Sequence, residues 1–226
     1  MKQGAELTTA FVDLITGIAL IPFVVILLKK RGGGFPRKWT RLLAALSAAH
    51  VGGFVAHAFL WPQPAYDVYW IFLYAGMYLL LVFAADLAFF KAAGRSPGRA
   101  TAIVFLCVMT AAYAATAVSN FFIEKDIVIF LFAAALVGLP SLAVIGWKGA
   151  GKRDVSGTLI LVSLIPQLIG LPFMFAQTGV VFSPFGVPFD HNGVYHVCLL
   201  ITLVIVSFAA LRDGDGEKTV AIDPET

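Results

Sequence analysis

Charge is scarce in this sequence. Of 226 residues only 13% are Asp, Glu, Lys or Arg, against about a quarter in a soluble globular chain. With 60% hydrophobic residues, that excludes a domain with a water-facing surface. Cysteine is nearly absent too. Cys107 and Cys198 each lie inside an apolar run, with no CxxC spacing. That excludes a disulfide framework and leaves both as small packing residues. The last apolar run has no lysine, which excludes a retinal-type Schiff base there. The first run lacks a strongly basic leader and a small-residue cleavage site, and at about 20 residues it is too long for a signal h-region. It reads as a first membrane span.

Apolar length is abundant. Seven runs stand at about 7–28, 41–61, 67–90, 100–119, 127–147, 156–178 and 190–211. At 1.5 Å per residue each reaches across roughly 30 Å of hydrocarbon. In lipid the backbone must satisfy itself, so spans are helices or a closed barrel. Barrel strands would be about 10 residues of alternating polarity, and these runs are not. The expected fold is all-α: one seven-helix membrane domain over 1–212, followed by a polar, disordered tail over 213–226.

Loop charge sets the expected orientation. "KKRGGGFPRKWTR" carries six basic residues, and "KAAGRSPGR" and "KGAGKRD" carry three each. The intervening loops "PQPAY" and "VVFSPFGVPF" carry none. Basic loops stay cytoplasmic, which predicts the N-terminus outside and the C-terminus inside. The expected location is a bacterial inner membrane. No nucleic-acid partner is expected, and the oligomeric state stays open.

That orientation gathers the ionisable residues. His57 falls about one turn below the outer interface, and His50 lies seven residues deeper on the same face. Asp67 opens the third span from outside. "FDHNGVYHV" puts Asp190, His191, Asn192 and His196 at the outer end of the seventh. Asp13 lies about two turns into the first. Each has a structural alternative: a packed histidine for His50, an interfacial residue for His191, a helix-linking carboxyl for Asp13, an N-cap for Asp67. Asp86, near the inner end of the third span, suits an ion pair with a basic loop residue. Ionisable groups in spans are costly, face the bundle interior and mark functional sites.

Histidines with carboxylates suit zinc, which takes imidazole nitrogen and carboxylate oxygen. A zinc site activates water at neutral pH, and an Asp nearby can take its proton. Two other readings stay open. One is a receptor or proton-coupled transporter using an Asp/His chain. The other, weaker, is haem ligation.

Seven spans, "GFVAHAF" with His57, "AYDVYW" with Asp67 and "NGVYHV" with His196 together resemble the CREST superfamily of membrane hydrolases, which includes alkaline ceramidases and progestin and adiponectin receptor-like proteins. The resemblance covers the whole chain as architecture and a handful of residues as motif. It implies zinc on His57, His191 and His196, a water held by Asp67, and hydrolysis of a lipid amide or ester. His50, Asp13, Asn192 and Asp190 are further candidates. The family's seventh-helix motif is His-x-x-x-His. Here Asn192 stands four before His196, and His191 stands five before, about 140° away on an ideal helix. Gly53 stands where the family has Ser.

Overall fold

The computed structural model describes residues 4–30, 34–59, 62–122, 128–151, 154–176, 180–182 and 187–220. The apolar runs close their backbone hydrogen bonds within themselves, as lipid demands. The helices are α1 (Gly4–Lys29), α2 (Gly34–Ala58), α3 (Gln63–Ala93), α4 (Arg99–Phe122), α5 (Val128–Ala133), α6 (Leu139–Ala150), α7 (Val155–Ala176) and α8 (His191–Val220). A π-helical turn, Ala134–Gly138, joins α5 to α6 into one rod. Its cause is Pro140. Proline has no N–H to return to Leu136 four residues back, so the ladder widens there. The Leu139 N–H accordingly reaches Ala134, five residues back. A short antiparallel hairpin, β1 (Val180–Phe182) with β2 (Val187–Phe189), precedes α8.

Among the described residues, six stretches are long and apolar enough to cross a membrane: α1, α3, α4, the α5–α6 rod, α7 and α8. The remaining helix, α2, is 25 residues long but opens with Arg37, Lys38 and Arg41. Its buried stripe, through Trp39, Leu43, Ser47, His50, Gly53 and His57, mixes apolar and polar residues at helical spacing. Packing explains this. Helices α1, α2, α3, α6, α7 and α8 form a closed ring in that order, and α2 also reaches α8 across it. Helix α4 lies outside, against α3 and α5.

The outer surface of the bundle is apolar. Ile15, Phe72, Val104, Leu136, Trp147 and Leu168 are all exposed, a surface that suits lipid rather than water. Small residues set the closest crossings, as is usual between membrane helices. At the α6–α7 corner a Cβ built on Gly157 would fall 2.5 Å from the Gly149 Cα. Backbone cannot yield there, so the corner accepts only glycine.

The end of the bundle where α1 finishes and α2 begins is tied by charge. Lys38 pairs with Asp86. Asp213, almost fully buried, accepts from Lys91 Nζ at 2.8 Å, Ser156 Oγ at 2.7 Å and Trp39 Nε1 at 3.3 Å. Asp154 caps α7 by accepting the Ser156 N–H at 2.9 Å. Burial pushes the Asp154 carboxyl up, but the Ser156 hydrogen bonds and the Lys91 charge outweigh it, and its pKa sits below the ordinary value. The α8 backbone stays helical to Val220, although the composition of 213–220 points to a disordered tail. Asp213 anchors α8 at the rim, and each further residue then adds one hydrogen bond to an existing helix. Residues 221–226 lie outside those described.

Candidate metal centre

Three helices converge on one carboxylate. Helix α1 brings Asp13, with no solvent exposure. Helix α2 brings His50 and His57, both buried. Helix α8 brings His196. Asp13 Oδ1 accepts from His50 Nδ1 at 2.8 Å and from His196 Nδ1 at 2.6 Å. A carboxylate only accepts, so both Nδ1 atoms carry hydrogen. In a neutral ring the Nε2 lone pair then faces away from Asp13, so a metal shared by both rings and the carboxylate would take the place of the two Nδ1 hydrogens. The ligand atoms of Asp13, His50 and His196 lie within 4.8 Å of one another, a group able to hold a metal ion.

His57 stands beside this group. Its ring centroid is 6.2 Å from that of His196, edge-on, and 5.8 Å from Trp70. His50 and His196 lie at 6.0 Å, also edge-on. Among the described residues, the second oxygen of Asp13, Oδ2, is buried without a hydrogen-bond partner. It faces Gly53, where a Cβ would lie 2.9 Å from Asp13 Cγ and closer still to Oδ2. The carboxylate fits because Gly53 has no side chain.

The group opens on a cavity of about 230 Å³. Its polar end holds the histidines, Asp13 and Asn192; the rest is mainly apolar side chains such as Leu80, Ala84, Leu142 and Val206. Its wall on α3 runs from Trp70 to Ala84, about 21 Å of helix.

The other expected site residues lie elsewhere. Asp67, in the first turns of α3, accepts from Gln63 Nε2 at 2.7 Å in an exposed pair on its own helix. His191 is the first residue of α8 and half-buried, while its neighbour Asn192 lines the cavity. The reason is the cap. Asp190 Oδ1 accepts the Gly193 N–H at 2.7 Å and the Thr9 hydroxyl at 3.3 Å. The first turn therefore stays helical, and a spacing of five keeps His191 and His196 on different faces. The structure thus brings His196, His50 and Asp13 together with His57 alongside, and does not bring His191 or Asp67 to them. Gly53 went unrecognised in the sequence as the space that admits the carboxylate.

Two imidazoles and a carboxylate, with a third imidazole adjacent, make a donor set that suits zinc and other late first-row divalent metals. The orphaned Asp13 Oδ2 fits the same reading. A buried acceptor without a donor leaves a cost of about 1–3 kcal/mol, which a cation beside it removes. A family model described as a family of unknown function (DUF6962) matches residues 8–215. No curated protein and no solved structure matches the chain.

Proposed function

The chain belongs to this family of unknown function, and from its own site we propose that it is a seven-span membrane metalloprotein that hydrolyses a lipid-like amide or ester. The observation that carries this is the buried Asp13–His50–His196 group at one end of an apolar cavity. Helix α2 is the seventh span, its polar stripe turned into the ring. The cations of the three basic loops support an orientation with the N-terminus outside and the C-terminus inside.

Zinc is the proposed metal, because two imidazoles and a carboxylate are its preferred donors. His50 and His196 would hold it, with His57 as the further imidazole. Bound there, zinc supplies Lewis-acid polarisation of a carbonyl and activation of water at neutral pH. The chain's own residues do the rest. Asp13 would face the metal beside both rings and, without metal, holds the two rings by their Nδ1 hydrogens. The leucines of the cavity exclude bulk water and hold an apolar chain. Asn192 offers a polar contact at the reacting end. The resemblance to ceramidase-type hydrolases supports the same chemistry with different donors: the acid comes from the first helix rather than the third.

Elemental analysis of the detergent-purified protein tests this. About one zinc per chain is expected in the wild type, and under a tenth of that in His50→Ala and His196→Ala, as for loss of a direct ligand. Wild-type metal no higher than in the variants sinks the reading. Gly53→Ala gives a sharper check. Its methyl must displace the Asp13 carboxylate, so metal affinity should fall at least about 10- to 100-fold, the range for a lost partner around a metal and the floor for a displaced ligand. Affinity within twofold of wild type would show that Asp13 does not belong to the metal site.

A proton-coupled transporter is the second reading. The direct pairing of one buried carboxylate with two imidazoles favours it, because such chains relay protons. It predicts no metal, no hydrolysis and uptake that changes between about pH 5 and 8.

A further inference from the structure

At the end of the bundle away from the histidines, a second concavity of about 480 Å³ lies between the end of α1 and the start of α2. Leu27, Leu28, Lys30, Arg37, Thr40 and Arg41 line it. Helix α2 divides its cations between two faces. Lys38 turns into the bundle, where it pairs with Asp86 and lies 5.1 Å from the centroid of the Phe90 ring. Arg37 and Arg41, one turn apart, face the concavity and are exposed. Among the described residues neither has a carboxylate partner. Lys30, the residue after α1, enters with its Nζ donating to the Leu211 carbonyl at 2.6 Å. The other wall is apolar, Leu27 buried and Leu28 64% exposed.

We propose that this concavity binds the phosphate of an anionic membrane phospholipid, with an acyl chain along the exposed Leu28. Two guanidinium forks one helical turn apart match the oxygens of a phosphate, which they bind bidentately. The Lys30 ammonium adds a cation from just beyond the end of α1. The leucines lie where a membrane-length helix ends, at the depth where a lipid's headgroup gives way to its chains. A basic pocket between membrane helices on the cytoplasmic side is a recurrent site for such headgroups. Cations that only set orientation need no concavity and no apolar wall. The site stands apart from the histidine group, so it holds whether or not the chain is a hydrolase.

The test uses the full-length protein in neutral detergent, titrated with phosphatidylglycerol, phosphatidylcholine or glycerol phosphate and followed by native mass spectrometry. Phosphatidylglycerol should be retained over phosphatidylcholine. Arg37→Gln/Arg41→Gln should weaken that retention about 25-fold, roughly fivefold per charge, the weight of a basic side chain at an anionic surface. Arg95→Gln/Arg99→Gln removes two exposed cations from the α3–α4 loop and start of α4, and should change retention less than about twofold, as expected outside the pocket. Equal losses in both doubles would overturn the proposal in favour of diffuse attraction. Glycerol phosphate competing as well as the lipid would overturn it in favour of a soluble-phosphate site. Zinc content unchanged in the Arg37/Arg41 double would confirm that the two sites are separate, and a parallel loss would overturn that.

Discussion

Asp13→Ala is expected to lower the stability of the bundle by about 2–4 kcal/mol and to abolish its response to chelators. Two interhelical hydrogen bonds end on this carboxylate, from α2 and from α8. Each is worth only about 0.6–1.7 kcal/mol inside a membrane, because the separated helices find other partners. The larger effect is what remains: two ring N–H groups without an acceptor, at about 1–3 kcal/mol each when buried. His50 is buried, so its N–H is the costlier of the two; His196 retains some access and lowers the total. Asp13→Asn keeps an acceptor of the same shape and should cost about 1 kcal/mol, one ordinary hydrogen bond's worth. Reversible unfolding in mixed micelles, followed by helical circular dichroism, measures all three. A bound metal adds its own arm. At a hundredfold over its dissociation constant a ligand adds about 2.7 kcal/mol. Chelation should therefore destabilise the wild type and leave Asp13→Ala unmoved. If Asp13→Ala lies within about 0.5 kcal/mol of wild type, the scatter of neutral surface changes, Asp13 does not hold the three helices together.

The sequence made the helices legible because membrane thickness fixes both their length and their polarity. It was less informative about α2. Arg37 and Lys38 moved the expected start to 41, but the helix begins at Gly34, since Lys38 turns inward to Asp86 and Arg37 outward to the second concavity. Of the candidate site, the ionisable residues were visible and their grouping was not. Helix α1 is apolar nearly all round, so hydropathy gives no sign of which face turns inward. One signal was present: Thr9, Asp13 and Thr16 recur at helical spacing, and all three are buried. That polar stripe marks the inward face of α1 and puts Asp13 opposite α2. For Asp67 and His191 the depth in the membrane suits a site, but depth does not fix the direction of a side chain. Their local partners, Gln63 for Asp67 and the Asp190 cap beside His191, decide their direction.

At the opposite end, Asp213→Ala is expected to cost about 2–4 kcal/mol, and the reasons differ from those at Asp13. Asp213 ties four helices: its own α8, α2 through Trp39, α3 through Lys91, and α7 through Ser156. Its side chain is 3% exposed and that of Lys91 is 19%, so the pair is shielded and worth more than a surface ion pair. Hydrogen bonds to charged groups contribute about 1.5–3 kcal/mol. Asp154 limits the loss. It already accepts from Ser156 and stands 4.0 Å from Lys91, so both keep a partner when Asp213 is removed. Among the described residues Trp39 Nε1 has no such substitute. Its indole is fully buried, and an unmet N–H there costs about 1–3 kcal/mol. Asp213→Asn should therefore restore about half of the loss, because an amide oxygen still accepts from Trp39 while the attraction to Lys91 is gone. A double-mutant cycle with Lys91→Met separates the two contributions. A coupling of about 1–2 kcal/mol assigns the latch to the charge pair. Coupling near zero, with Asp213→Ala still costly, assigns it to Trp39. Asp213→Ala without a measurable loss would mean that α8 is held at this end by apolar packing alone.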